Sequence, residues 1–450
     1  MKNTKKLFAL VLALALVFTA FAGCAGGTGS STGGSASGDA GTGDGEGLPA
    51  LDTSKEVELV MYFISDRPAK YDEIEANFNE IFKEKLNCTL KTEWIAWSDY
   101  ANKYPLLFSS GEKFDLAYTA TWLGFSNYAA KGGFMNLDEL WPTYAPNNYA
   151  LQSEAGLTQA TIDGHYYVIP TLLATYSAYG PYYRTVFENG TVTYDGEVTN
   201  WEDYEEYMEW VQENTSITQP YGLYSSGLEA DDMYYGSMGL YNIRGTSWLS
   251  VDPYADTFTL VPNYENEFTM DYLTMTKRWS DKGFWSKSAL SDTDSTKVQN
   301  GIAATGIHNV DTYSSRYIDQ PEWGFKYTNF VKDVSNLPFT QDACVIPSTS
   351  QNPERALALW DLITTDEEAY RAFVYGIEGT SYAGTGMWSA RTSEFNLDSY
   401  GAPADIPEMK AEWDAYIEET GNHQSQYLSA WVPDTTSIET EYAACTNVIQ

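Results

Sequence analysis

Only three histidines occur, His165, His308 and His423, and no two are spaced i,i+4. The paired-histidine helix face of a zinc hydrolase is therefore missing. There is no GxSxG elbow for an acyl-transfer serine and no P-loop for a nucleotide phosphate. Asp292-Thr-Asp294-Ser-Thr296 imitates the start of a calcium loop but lacks the glycine at position six and the acid at position twelve. Two carboxylates about 5–9 Å apart would serve glycoside hydrolysis, a spacing that 62 acids on one chain leave open. The salient chemistry is aromatic. The 35 tyrosines and 14 tryptophans supply amphipathic rings, which suit a ligand that is part apolar and part hydroxyl.

Such rings need strand ends and loops to present them. Val57, Leu59, Met61 and Phe63 alternate as a strand ending near Ser65-Asp66. Tyr71, Ile74, Phe78, Ile81, Phe82 and Leu86 recur at helical spacing. Cys88 to Trp94 reads as a second strand, Ser98 to Ser109 as a helix, and Phe114 to Thr119 as a third strand. This βαβαβ order predicts a parallel, doubly wound sheet with right-handed crossovers. Ligands of such sheets sit beyond the carboxyl ends of the strands, which nominates Asp66, Trp94, Trp97 and Trp122.

Further along, Asn200 is set to cap a helix striped with Tyr204, Tyr207, Met208 and Val211. Phe268, Tyr272, Met275 and Trp279 form a second stripe, stopped at Gly283. Asn352-Pro353 opens a helix carrying Ala356, Leu359, Trp360 and Ile363. Asp366 opens another, with Tyr370, Phe373 and Val374, ending at Gly376. These stripes read as core.

Lys2, Lys5 and Lys6 precede the apolar run Leu7 to Phe21, which is shorter than the ~20 residues of a spanning helix and reads as a signal peptide. Phe21-Ala22-Gly23-Cys24 resembles the lipobox of bacterial lipoproteins, apart from the aromatic first position, and implies cleavage before a diacylglyceryl Cys24. Ala25 to Gly47 is Gly, Ser, Thr and Ala with a few acids, the composition of a flexible tether. The net charge of −36 repels phosphate backbones and anionic lipid surfaces, so no nucleic-acid partner is expected. Besides Cys24 there remain Cys88, Cys344 and Cys445, an odd number without CxxC spacing, expected as small buried hydrophobes.

The order of segments resembles that of bacterial extracellular solute-binding proteins, the receptors of ABC importers. The matching pieces begin with Gly111-Glu-Lys-Phe-Asp115-Leu-Ala-Tyr118, Ala130-Lys-Gly-Gly-Phe134 and Asn136-Leu-Asp-Glu-Leu140. Asp163-Gly-His-Tyr-Tyr-Val-Ile-Pro170 and Asn300-Gly-Ile-Ala-Ala304 follow. Thr364-Thr-Asp-Glu-Glu368 and Tyr375-Gly-Ile-Glu-Gly379 resemble the LipO-like lipoprotein subgroup. The resemblance implies an α/β, two-lobed periplasmic-binding-protein-like fold of type II, with a hinge between lobes and a ligand cleft at their interface. Carried over by motif order, residues 1–23 are the signal peptide and 24–54 the lipidated cysteine and linker. Residues 55–168 and 290–345 are expected in lobe one, and 169–289 and 346–450 in lobe two. It also implies a further helical stretch past Ile449-Gln450, so a longer chain is expected.

The same resemblance implies ligand contacts at Trp122, at Tyr182, Tyr183 and Arg184 opening lobe two, at His308 and Asn309 after the return strand, and at Trp388 in a late lobe-two loop. Asp66 and Trp97 join them from the strand ends. The expected function is capture of an extracellular oligosaccharide by a lipid-anchored receptor, which delivers it to a membrane permease. An oligopeptide receptor and a surface glycoside hydrolase are the alternatives. No cofactor, metal or catalytic residue is expected, and the receptor is expected to be a monomer on the outer face of the cell membrane.

Overall fold

The structure is a computed structural model that describes residues 48–68, 70–97, 99–173, 179–224, 230–242, 249–252, 255, 257, 259–309, 312–313, 316–317, 320–330, 334–377, 387–395 and 422–425. The signal peptide, Cys24, the tether and Cys445 lie outside the described residues.

Residues 57–119 fold as their periodicity predicts. Strand Val57–Ile64 pairs in parallel with Cys88–Ile95 from Val57 opposite Cys88 to Ile64 opposite Ile95. Leu116–Thr119 pairs in parallel on its other side. Helix Tyr71–Leu86 connects the first two strands and buries Tyr71, Ile74, Phe78 and Phe82. The helix expected over Ser98–Ser109 spans Tyr100–Leu107.

Strand Ala343–Val345 then enters this sheet from far along the chain. It pairs antiparallel with Leu116–Thr119 on one side and with Ile169–Pro170 on the other. The resulting five-stranded sheet ends on Ile169–Pro170, where a proline costs no ladder bond.

A second core is built on strand Tyr179–Tyr183, flanked antiparallel by Thr305–Asn309 and Lys326–Tyr327. Helices Trp201–Asn214 and Glu267–Asp281 pack on it through Tyr204, Tyr207, Met208, Val211, Met275 and Trp279. Asn200 caps the first helix, its side-chain oxygen accepting from the Asp203 amide at 2.9 Å. Gly283 ends the second at φ +76°, a conformation that glycine adopts without steric penalty.

Two segment assignments differ from the expectation. The stretch 290–345 was expected in lobe one, yet Ala304 and Ile307 are buried in the second core and Thr305–Asn309 pairs with its central strand. Only the end of that stretch, at Ala343, returns to the first sheet. The stretch 346–450 was expected in lobe two, yet helices Pro353–Thr365 and Glu367–Val374 bury Leu357, Leu359, Trp360, Tyr370 and Phe373 in the first core. The reason is geometric. An antiparallel strand inserted in the first sheet delivers its chain to the far side of that sheet, where only the first core is within reach.

Charge fixes the helix pair of the second core. Glu205 is 7% exposed and accepts from Arg278 Nε at 2.8 Å and Trp279 Nε1 at 2.7 Å, with Lys282 also bonded to it. Burial raises its pKa, but the bonds from Arg278, Lys282 and Trp279 outweigh that and hold the carboxyl at about 2. Since this is below the usual glutamate value of 4.5, the ionised form stabilises the fold above that value and the gain is lost as pH falls toward 2. It amounts to up to about 3 kcal/mol near neutrality. Urea midpoints should therefore drop between pH 5 and pH 3 in the wild type, and Glu205→Gln should be less stable at pH 7 and lose less over the same interval. An equal pH slope in both proteins would exclude Glu205 as the source.

Candidate functional site

The parallel strands of the first sheet all end on one edge, and the loops beyond those ends carry Asp66, Trp97 and Trp122. Both connections to the second core use the same edge. The chain leaves at Pro170–Leu172 and returns through Thr340–Asp342, since Ala343 lies opposite both Thr119 and Pro170. The short helix Trp388–Ala390 is tied to the outgoing connection, because the Arg391 carbonyl accepts from the Leu172 amide at 2.9 Å and from Thr171 Oγ1 at 2.8 Å.

Three of the predicted tryptophans meet on this edge. The Trp97 ring lies 6.0 Å from Trp122 at 33° and 6.0 Å from Trp388 at 40°. Tyr100 packs edge-on against both Trp97 and Trp122, at 5.9 and 5.7 Å. Tyr118, buried beneath, contacts Trp122 and Trp388 at 6.2 Å each. Trp122 and Trp388 are half-buried, whereas Trp97 remains 40% exposed and presents the open face. Sequence reasoning named the three tryptophans and missed Tyr100 and Tyr118. Tyr118 stood in the quoted strand motif, and its place at the carboxyl end of that strand was the available signal. Trp388 joins the first-core side of the site, not a lobe-two loop as expected, because its helix packs on strand Ala343–Val345.

The other predicted residues are placed elsewhere. Trp94 stacks on Phe63 at 5.3 Å and meets Tyr71 at 4.8 Å, within the first core. Asp66 is exposed, and among the described residues no hydrogen bond or ion pair joins it to the rings. Tyr183 is packed on Tyr207 in the second core, and Tyr182 is buried against Phe325. Arg184 is held between Trp323 and Phe187, its guanidinium carbon 4.0 and 4.9 Å from their ring centres, and donates to the Val186 carbonyl at 2.6 Å. Burial lowers its pKa. The structure thus gives Tyr182, Tyr183 and Arg184 packing contacts rather than a place among the tryptophans.

His308 and Asn309 end their strand opposite Gly180 and Tyr179, the first residues described after the outgoing connection. Thr312 Oγ1 lies 2.8 Å from His308 Nδ1, and the Thr312 amide donates to Asn309 Oδ1 at 3.1 Å. These two polar side chains therefore sit at the connection end of the second core, as the tryptophans sit at the connection edge of the first. A groove of about 360 Å³ lined by Leu223, Lys277 and Trp285 lies on second-core residues far in sequence from these rings. Among the described residues no group of three His, Cys, Asp or Glu side chains could hold a metal. Cys88 and Cys344 are buried free thiols; burial pushes Cys88 up to about 11 and raises Cys344 further.

Two α/β cores joined by connections at one sheet edge, with polar and aromatic side chains at the joint, define a two-lobed binding-protein architecture. Residues 77–405 match the bacterial extracellular solute-binding protein family, and the chain belongs to it. A curated relative is the carbohydrate ABC transporter substrate-binding protein of Streptococcus pneumoniae serotype 4. It is 25% identical over 397 residues, which cover 85% of this chain and 74% of that protein. The fold is similar to the crystal structure of the N-glycan transport solute binding protein from Streptococcus pneumoniae in complex with Man1GlcNAc. That match has a TM-score of 0.67 and 20% identity, over 88% of this chain and 90% of that one. A solute binding protein from Thermotoga lettingae bound with alpha-D-tagatose matches with a TM-score of 0.54 and 14% identity, over 87% and 99%.

The placement of Arg184 yields a stability prediction. Lysine cannot reproduce a planar group stacked between two rings. Arg184→Lys should lower stability by about 1–2 kcal/mol, seen as a lower urea midpoint, with ligand affinity changed less than threefold. A large affinity loss at unchanged stability would return Arg184 to the binding site.

Proposed function

We propose that this protein is the substrate-binding component of an ABC importer that captures an extracellular oligosaccharide and releases it, chemically unchanged, to a membrane permease. The observation that carries the reading is the contiguous face of Trp97, Trp122 and Trp388 at the edge from which both connections leave. Pyranose rings present flat C–H patches that pack on such faces, while their hydroxyls need polar partners such as His308 and Asn309 across the joint. The carbohydrate assignment of the pneumococcal relative supports sugar over peptide. Glycans of the Man1GlcNAc and Man5GlcNAc type, held by the similar crystal structures, are the first probes to try. Attachment to the outer membrane face through Cys24, with Ala25 to Gly47 as tether, belongs to the same reading. Palmitate labelling that disappears in Cys24→Ala would support it, and labelling at the wild-type level in that variant would exclude it.

A glycan array followed by calorimetric titration tests the ligand class. The bound glycan should be recovered intact after long incubation; shortened products would instead identify a hydrolase. Trp97→Ala removes the open stacking face, and Trp122→Ala removes the ring that supports it. Each should cost roughly 1–3 kcal/mol of binding, about a 5- to 150-fold rise in Kd. Melting temperature without ligand should fall more in Trp122→Ala, the more buried of the two. If no glycan binds, or if both variants bind as the wild type does, the carbohydrate reading of this face is lost.

A further inference from the structure

The strand end and loop that lead to Trp122 are hydrogen-bonded to the segment Thr340–Asp342, by which the chain returns from the second core. Tyr118 Oη donates to Asp342 Oδ1 at 2.6 Å. The Thr121 amide donates to the Thr340 carbonyl at 2.8 Å, and Thr121 Oγ1 donates to the same oxygen at 2.9 Å. Tyr118 is the residue common to both sides of this joint. Its ring is 2% exposed and touches Trp122 and Trp388, and its hydroxyl reaches the returning segment. Its own carbonyl is fixed by Tyr104 Oη at 3.0 Å, so the strand beneath cannot shift freely.

A phenylalanine would fill the same space under the tryptophans. The hydroxyl is what reaches Asp342, with the Trp122 side chain as a further hydrogen-bond partner, and a bond from a buried hydroxyl to a carboxylate is charge-assisted and strong. We propose that Tyr118 is a positioning residue that ties the aromatic face to the returning connection, so that the setting of the rings and the path of Thr340–Asp342 change together. The ligand of those rings rests on the carbohydrate reading above, but the joint itself does not. Rotation of two lobes is absorbed in the segments that connect them. Movement at Thr340–Asp342 is then passed through Tyr118 and Thr121 to Trp122, and a ligand seated on the rings favours one setting of the connection through its preferential affinity for it.

The test needs no ligand. Amide hydrogen exchange is measured in the full protein for the wild type, Tyr118→Phe, Asp342→Ala and Asp342→Asn. Loss of the hydroxyl or of its acceptor should speed exchange of the Thr121 amide about tenfold, while amides of Val57–Ile64 keep wild-type rates. Asp342→Asn keeps an oxygen acceptor and should keep Thr121 slow, a rescue that a general loosening of the sheet would not show. If Tyr118→Phe fails to fold, the contrast between the two Asp342 variants decides. Unchanged Thr121 exchange in Asp342→Ala, or an equal rise across the whole first sheet, would overturn the proposal. Failure of the wild type to bind any glycan would remove the carbohydrate reading and leave this result standing.

Discussion

The structure depends on three buried residues, Ala343, Cys344 and Val345, lying antiparallel between two strands that reach the sheet much earlier in the chain. Backbone amides and carbonyls in a buried sheet must be paired. Without this insertion, one side of Leu116–Thr119 and one side of Ile169–Pro170 would be left open. Its direction has two consequences. The segment entering it must approach from the edge where the parallel strands end, which is the edge where the chain departs at Pro170. The segment leaving it must emerge on the opposite side, where the last helices then pack. Both connections and the whole carboxyl-terminal helix pair follow from one strand direction.

Polar contacts then fix those helices against the first core. Arg355 is buried and donates to the carbonyls of Leu86 and Asn87 at 2.7 and 3.0 Å, meeting the negative end of helix Tyr71–Leu86 with a positive charge. Lys85 in the last turn of that helix reaches Asp366 at 2.6 Å, and Asp366 also caps its own helix through the Ala369 amide at 3.0 Å. The Asp361 carboxylate accepts from the Asn148 amide at 2.6 Å and from Asn147 at 2.8 Å. Apart from the Asp366 cap, each contact spans more than 200 residues of sequence, so together they specify the docking as well as stabilise it.

Local order was legible in the sequence; the choice between cores was not. The alternation of Val57, Leu59, Met61 and Phe63, the capping asparagine at 200 and the aspartate at 366 all act within a few residues, where steric and hydrogen-bonding preferences are settled. The stripe of Ala356, Leu359, Trp360 and Ile363 predicts an apolar face but carries no address, and either core could have received it. Thr305–Asn309 and Trp388 were assigned to the opposite cores for the same reason. Strand ends bring Trp97 and Trp122 together, their rings 6.0 Å apart, because parallel strands share one carboxyl edge. Trp94 does not join them, because it lies in the strand rather than beyond it and packs against Tyr71 and Phe63.

The graded burial of the rings explains how an exposed aromatic face can persist in water. An isolated tryptophan on a loop would collapse onto the nearest apolar surface or sample many rotamers, and binding would have to order it. Here Tyr118 is fully buried, Trp122 and Trp388 are half-buried on it, and Trp97 rests on both with Tyr100 at its edge. Each layer is held by the one below, so the cost of ordering the outer ring is met during folding. The loops that carry Trp97 and Trp122 begin at strand ends on the edge that both connections use, and Arg391, beside the short helix of Trp388, is bonded to the outgoing connection. A face assembled in that place is ordered before any ligand arrives, and its support is bonded to the segments that join the two cores. Under the proposed function both properties matter, since a floppy face would spend its binding energy on its own ordering and could not favour one arrangement of the cores.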